Sequence, residues 1–99
     1  MTNDTFGPIH PGEILRKEYL LEYGLTAEDL ADALHISSAT IEGLICEKSR
    51  ISADLALRLG EYFAPPPNYW LSLQSQYDVI TTKRLLGEDL ERISPLRLM

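Results

Sequence analysis

Two short helical stretches, separated by about three residues, restrict most strongly what this chain can fold into. Ala31 lies in the first stretch, His35 opens the joint, and Ile41 lies in the second, at offsets of 0, +4 and +10. A helix-turn-helix needs a small side chain at the helix crossing, a turn residue that tolerates left-handed backbone angles, and an aliphatic side chain that fills the crossing. The spacing predicts this motif. The alternative left open is an ordinary bundle in which Ala31 is a routine core residue.

The rest of the chain also has the apolar spacing and the cap signals of helices. It contains seventeen Leu and eight Ile but one Val, which favours helices over strands. The five predicted helices run from Pro11 to a stop at Gly24, from Thr26, from Ser37 or Ser38 through Ile45, from a cap at Ser52 to Phe63, and from Asn68 to about Thr82. The predicted fold is therefore all-α, an orthogonal bundle of five helices.

This helix pattern divides the chain into three parts. We expect residues 1–9 to form an N-terminal arm, residues 10–82 the helix-turn-helix domain, and residues 83–99 a C-terminal extension. In the extension Gly87 and Pro95 weaken the prediction of a further helix.

Length, charge and cysteine content limit the classes of protein to which the chain can belong. Its 99 residues are enough for one domain, and Cys46, its single cysteine, cannot form an internal disulfide. The net charge is −6, which repels a nucleic-acid backbone, so any nucleic-acid binding must depend on a local arrangement of few cations. With no signal-peptide pattern and no long apolar run, we expect a cytoplasmic protein that does not cross a membrane.

Several motifs of the chain are those of a known family. They include His10-Pro11-Gly12-Glu13-Ile14-Leu15 before the first apolar stripe, and Tyr69-Trp70-Leu71-x-Leu73-Gln74-x-x-Tyr77-Asp78 in the last predicted helix. With these motifs, residues 10–78 resemble the HigA/VapI family of plasmid-maintenance (type II) antitoxins, which are Xre-type helix-turn-helix proteins. The resemblance implies a five-helix lambda-repressor-like domain, a homodimer, binding to double-stranded operator DNA with repression of its own operon, and tight binding of a small basic HigB-type ribonuclease toxin.

The resemblance also implies which residues face the DNA. Side chains offered to the major groove would be those of Ser37, Ser38, Ala39, Thr40, Glu42 and Gly43, and those near the phosphate backbone would be Thr26, Lys48 and Arg50. Relatives commonly carry Arg, Asn or Gln at several groove positions, whereas Ala39 and Gly43 have no group that can hydrogen-bond a base. After this helix, Asn-Gly-Lys is usual in the family, and this chain has Cys46-Glu47-Lys48.

Two interpretations of this base-poor helix remain open. In the first, the protein binds its operator weakly alone and better with toxin bound. In the second, the DNA site has decayed and the domain persists as a scaffold that dimerises or neutralises the toxin. A third possibility is a stand-alone phage-type transcriptional regulator that has no toxin partner.

An aromatic stripe in the last predicted helix allows two readings. Its members at helical spacing are Tyr69, Trp70, Leu73 and Tyr77. The stripe is either part of the core or a dimer interface, since a domain of this size has little room to bury so many rings without a partner. The resemblance supports a symmetric contact built from this helix and the residues after it.

The acidic residues suggest where a basic toxin could bind. An acidic inhibitor is steered electrostatically toward a basic partner, although the same residues also serve as a solvated face. The candidates near the two ends of the chain are Asp4, Glu13, Glu18, Glu22, Glu88, Asp89 and Glu91.

Neither a metal site nor a catalytic site is expected. His10, His35 and Cys46 lie in three different segments without zinc-ligand spacing, and we expect Cys46 to be a semi-buried, unreactive thiol. The chain has no G-x-S-x-G motif and no distinctive pair of carboxylates, so we expect neither a cofactor nor enzymatic activity.

Overall fold

The computed structural model describes residues 8–96, which form six helices and no strand. Helix α1 is built from three consecutive stretches, Pro11–Ile14, Leu15–Leu20 and Leu21–Tyr23, of which the second has π-helical geometry. The other helices are α2 (Ala27–Leu34), α3 (Ser38–Ile45), α4 (Ala53–Tyr62), α5 (Pro67–Leu86) and α6 (Glu88–Glu91). All five predicted helices are present, and the single turn of α6 follows them.

Side-chain caps mark where helices α2, α3 and α4 begin. The Thr26 hydroxyl accepts from the Asp29 backbone N–H at 3.0 Å, and the Asp29 carboxylate accepts from the Thr26 N–H at 3.0 Å, which completes the predicted capping box. Ser37 and Ser52 cap α3 and α4 through their hydroxyl groups. Of the two serines considered for α3, Ser37 is the cap and Ser38 is the first helical residue.

Helix α5 is longer than the sequence pattern predicted. The prediction ended it near Thr82, but it continues to Leu86 because no glycine or proline interrupts it. Gly87, with φ 52° and ψ −121°, then ends the helix in a conformation that glycine adopts with little strain. The predicted boundary at residue 82 therefore falls inside a continuous helix.

The core lies where the first five helices meet. Its buried apolar residues are Leu15, Leu20, Leu30, Ala31, Leu34, Ile41, Leu44, Ile51, Leu55, Ala56, Leu59 and Trp70. Trp70 is 0% exposed, and its indole N–H donates to the Pro65 carbonyl oxygen at 3.2 Å. Arg58 of α4 ties the end of α2 to the core by donating to the Leu34 carbonyl oxygen at 2.7 Å.

Beyond this core, the second half of α5 and the residues after it leave an apolar surface in solvent. The exposed residues are Val79, Ile80, Leu85, Leu86, Leu90, Ile93 and Leu96. We call these seven residues the C-terminal apolar face. Among residues 8–96, no helix is both long enough and apolar enough to span a bilayer.

Candidate DNA-binding surface

Helices α2 and α3 are joined by the tight turn that the sequence predicted. His35 has φ 61° and ψ 45°, so it supplies the left-handed residue, and the Ile36 N–H donates to the Ala31 carbonyl oxygen at 3.0 Å. Ala31 is 1% exposed and Ile41 is 0% exposed within one core cluster, as expected for a small residue and an aliphatic residue at a helix crossing. The pair has the geometry of a helix-turn-helix.

The outer side of α3 is open to solvent. Ala39, Thr40 and Glu42 are exposed, and Ser38 and Gly43 are half-buried at its edges. Ser37 at the helix start is exposed, as is Thr26 at the start of α2. The residues expected to meet a DNA groove thus lie on a surface that no other described part of the chain covers, and α3 is correspondingly the candidate recognition helix.

The end of α3 depends on a left-handed residue that the sequence did not reveal. Glu47 has φ 63°, which allows its N–H to donate to Leu44 O at 2.9 Å and the Lys48 N–H to donate to Gly43 O at 2.8 Å. These two bonds form a Schellman motif, in which glycine is the usual left-handed residue. The motif turns the chain so that residues 46–50 form an exposed loop beside α3.

The two cations expected near the DNA backbone differ in availability. Lys48 is exposed and forms no ion pair with any residue from 8 to 96. Arg50 instead donates to both carboxylate oxygens of Asp78, at 3.2 and 2.6 Å. The hydrogen bond from Arg50 is the main cause that holds the pKa of Asp78 below its ordinary value of 3.8, so this pair is charged at neutral pH.

A buried glutamine extends this pair into the body of the protein. Gln74 is 4% exposed, its amide oxygen accepts from the Ile51 N–H at 2.7 Å, and its amide nitrogen donates to Asp78 at 3.0 Å. The loop after α3 is therefore attached to α5 through both Ile51 and Arg50. This contact explains the presence of Gln74 and Asp78 in the motif of the last long helix.

The motif at the start of α1 lies against the same end of α3. The His10 ring accepts from the Gly12 N–H at 2.9 Å, which caps α1, and it packs edge-on against Tyr77 with centroids 4.8 Å apart. Gly12 lies so close to α3 that an added Cβ would overlap the Leu44 carbonyl oxygen. The two sequence motifs, more than 50 residues apart in the chain, meet in space and support α3.

The predicted dimer residues do not share one environment. Trp70 has no exposed surface and packs against the rings of Tyr19, Phe63 and Tyr69. It is therefore a core residue, which is one of the two interpretations that the sequence left open. The side chain of Trp70 is not available to a second copy. Tyr69, Leu73 and Tyr77 are half-buried.

The candidate toxin contacts are scattered over the surface. Glu18, Glu22, Glu88, Asp89 and Glu91 are exposed, and Asp4 lies outside the described residues. Glu13 is half-buried and pairs with Lys17 at 2.8 Å, and the hydrogen bond from Lys17 lowers the pKa of this carboxyl.

The soft side chains noted in the sequence stay apart from one another. Within residues 8–96, no three His, Cys, Asp or Glu side chains are grouped as a metal site would require. Cys46 is exposed, which corrects the expectation of a semi-buried thiol, because it lies at the end of α3 where the chain turns outward.

Known proteins resemble this chain in both sequence and fold, although no protein-family model matches it. It is 51% identical over 71 residues to virulence-associated protein I of Dichelobacter nodosus, covering 72% of this chain and 66% of that protein. The antitoxin HigA of Pseudomonas aeruginosa, solved with the higBA promoter, is 43% identical, with a TM-score of 0.86 over 91% of this chain and 99% of the other.

A second structure from Pseudomonas aeruginosa, PA4674 with its 18 bp operator DNA, is 43% identical with a TM-score of 0.87, covering 90% of this chain and 97% of that one. The relationship extends over nearly the whole length of the two Pseudomonas proteins. The chain belongs to the HigA family of helix-turn-helix antitoxins.

Proposed function

We propose that this chain is the antitoxin of a type II toxin–antitoxin pair, which binds its own operator DNA as a homodimer and neutralises a small basic HigB-type ribonuclease. The observation that carries the DNA-binding part is the solvent-open outer face of α3, which begins at the cap Ser37. It occurs in a chain 43% identical to a HigA antitoxin that was solved with promoter DNA.

In this proposal α3 enters the major groove, where its polar side chains are Ser37, Ser38, Thr40 and Glu42, with Ala39 and Gly43 beside them. The exposed N-termini of α2 and α3 offer backbone N–H groups to phosphates, beginning at Thr26 and Ser37. Of the two cations expected at this surface, Lys48 has no ion pair within residues 8–96, and Arg50 reaches a phosphate only through the N–H groups that Asp78 leaves unused. With so few charged contacts, each copy binds weakly, and two copies together bind more tightly.

The test of DNA binding is a salt series with the protein and a duplex of its own promoter, followed by fluorescence anisotropy. We expect log affinity to fall linearly with log salt, because each phosphate contact releases counterions. Lys48→Ala should weaken binding and reduce the slope by about 1 for each copy bound. Lys17→Ala removes the same charge from α1 and should leave the slope unchanged. Absence of salt-sensitive binding at about 50 mM salt, with and without toxin, would favour the scaffold reading.

The homodimer is proposed to form through the C-terminal apolar face rather than through Trp70. This face lies next to a groove of about 370 Å³ between α5 and α6, lined by Asp78, Val79, Thr82, Lys83, Leu86 and Leu90. So many exposed apolar residues at one end of a small domain are typical of a contact surface. In a two-fold dimer the same surface serves both copies.

Leu85 provides the direct test of this interface, because it is 86% exposed and contributes little to the core. Leu85→Asp should convert the dimer to a monomer at about 10 μM in sedimentation equilibrium, because association would bury an unpaired charge. Leu57→Asp makes the same change at an exposed position on α4 and should leave the dimer intact. A dimer that survives Leu85→Asp would contradict the assignment.

Neutralisation of a toxin is tested by co-expression with the product of the adjacent reading frame. We expect a small basic protein that co-purifies with this chain and whose ribonuclease activity the chain suppresses. An adjacent product that neither binds nor is inhibited would favour a stand-alone regulator.

A further inference from the structure

A continuous set of aromatic rings leads from the core to the surface at the end of α4. Phe63 is half-buried, with its ring 6.0 Å from that of buried Trp70. It also lies 5.9 Å from the ring of Tyr23, at an interplanar angle of 24°, and 5.0 Å from the ring of Tyr62. Tyr23 is 63% exposed and Tyr62 is 46% exposed. We call the exposed rings of Tyr23 and Tyr62, with Phe63 behind them, the aromatic platform.

The outer rings of the platform pack onto a partly buried aromatic cluster. Tyr19 also packs against Phe63, at 4.9 Å, and its hydroxyl donates to Tyr69 at 3.4 Å. Burial and this hydrogen bond raise the pKa of Tyr19, which stays neutral and anchors the cluster. Tyrosine has only two side-chain torsions, so an exposed tyrosine offers a large contact area at a low cost in conformational entropy, and tyrosines are frequent among the residues that dominate binding at interfaces.

A recess lies beside the platform. It has a volume of about 260 Å³ and is lined by Ala33, Leu34, His35, Arg58, Glu61 and Tyr62. Arg58 is already engaged, because it donates to Asp54 at 2.6 Å and to Leu34 O at 2.7 Å. Glu61 is exposed and forms no ion pair within residues 8–96. The recess is therefore large enough to admit a long side chain from a partner. The carboxylate of Glu61 at its edge can pair with a positive charge on that side chain.

The helices that build the platform and the recess carry more acids than bases. Helices α1, α2 and α4 together contain eight Asp or Glu and three Lys or Arg, and two of these three bases, Lys17 and Arg58, are already ion-paired. Tyrosine faces attract cationic side chains, and Arg is favoured in such contacts. The charge and the ring faces are therefore complementary to a basic protein.

We propose that the aromatic platform and Glu61 form the docking surface for the basic ribonuclease toxin. Arg or Lys side chains of the toxin stack on Tyr23 and Tyr62, and one of them enters the recess to pair with Glu61. The identity of the partner rests on the proposed function. The surface is distinct from the outer face of α3 and from the C-terminal apolar face, since it shares no residue with either.

The test measures the affinity of the purified product of the adjacent reading frame for the full chain by isothermal titration calorimetry. Glu61→Lys and Tyr62→Ala change exposed residues, so both variants should fold, which circular dichroism checks. Each should weaken binding by about tenfold or more, as loss of a central contact does. Glu47→Lys changes the net charge by the same amount as Glu61→Lys, at an exposed position in the loop after α3, and should alter affinity by less than about twofold.

The possible failures can be told apart. Wild-type protein that does not bind the adjacent product would overturn both the toxin part of the proposed function and this assignment. Wild-type binding that survives Glu61→Lys and Tyr62→Ala, or that Glu47→Lys weakens equally, would overturn the docking surface alone. Conversion of the dimer to a monomer by Tyr62→Ala would assign the platform to a second copy of the chain instead.

Discussion

Replacing Gly12 with alanine is expected to destabilise the protein by about 3 kcal/mol or more. An added Cβ would overlap the Leu44 carbonyl oxygen and lie 2.7 Å from the Leu44 carbonyl carbon. Both atoms belong to the backbone of α3, so no side chain can rotate to relieve the clash, and α1 must move away from α3. Guanidinium denaturation followed by circular dichroism measures the loss. Operator affinity should fall in the same variant, because the recognition helix loses its support.

Gly43→Ala is the matched control, because it makes the same substitution within α3 itself. There the nearest atom to an added Cβ is the Ser49 hydroxyl oxygen at 3.2 Å, on a side chain that can rotate. Since alanine favours helices more than glycine, this variant should be unchanged or more stable by up to about 1 kcal/mol. Equal destabilisation by both substitutions would show that the contact between Gly12 and Leu44 is not as close as described.

Trp70→Ala is the second change with a large expected effect, a loss of about 3 to 5 kcal/mol. The indole is 0% exposed and contacts rings from α1, from the end of α4 and from α5 itself. Domains of this size have a free energy of unfolding of about 5–15 kcal/mol, so this loss should raise the fraction of unfolded molecules at 37 °C substantially. Thermal and denaturant unfolding curves measure the change.

Trp70→Phe separates the role of the side chain in the core from a role in association. Phenylalanine keeps much of the ring packing and loses the hydrogen bond to the Pro65 carbonyl oxygen, so the expected loss is about 1–2 kcal/mol. The folded variant should dimerise as the wild type does, because Trp70 lies inside one copy. A Trp70→Phe variant that is folded but monomeric would contradict the core assignment and indicate that Trp70 contributes to the dimer interface.

Local signals in the sequence were enough to predict most of the helices. Thr26 with Asp29 gave the start of α2, and Ser52 gave the start of α4, because a cap acts within one turn of the chain. His35 was expected to be left-handed from its place between two helices, and it is. These features depend on neighbours three or four residues away, which a single sequence displays directly.

The features that the sequence did not reveal depend on contacts between distant residues. Arg50 was expected at the DNA backbone, but Asp78, 28 residues later, engages its guanidinium. Trp70 was equally compatible with core and interface until Phe63 and Tyr19 were seen around it. Glu47 itself carries no signal for its positive φ, and the only hint is that the family's usual Asn-Gly-Lys has glycine, the residue that normally marks such a position, where this chain has Glu47.

Gln74 connects the loop beside α3, which we propose binds DNA, to α5, which we propose forms the dimer. Its amide fixes the loop that follows α3, while the helix to which it belongs ends in the surface where we place the second copy. In such a dimer, α5 determines the distance and angle between the two recognition helices. The number of base pairs separating the halves of a palindromic operator is then a property of α5, a helix that reads no base.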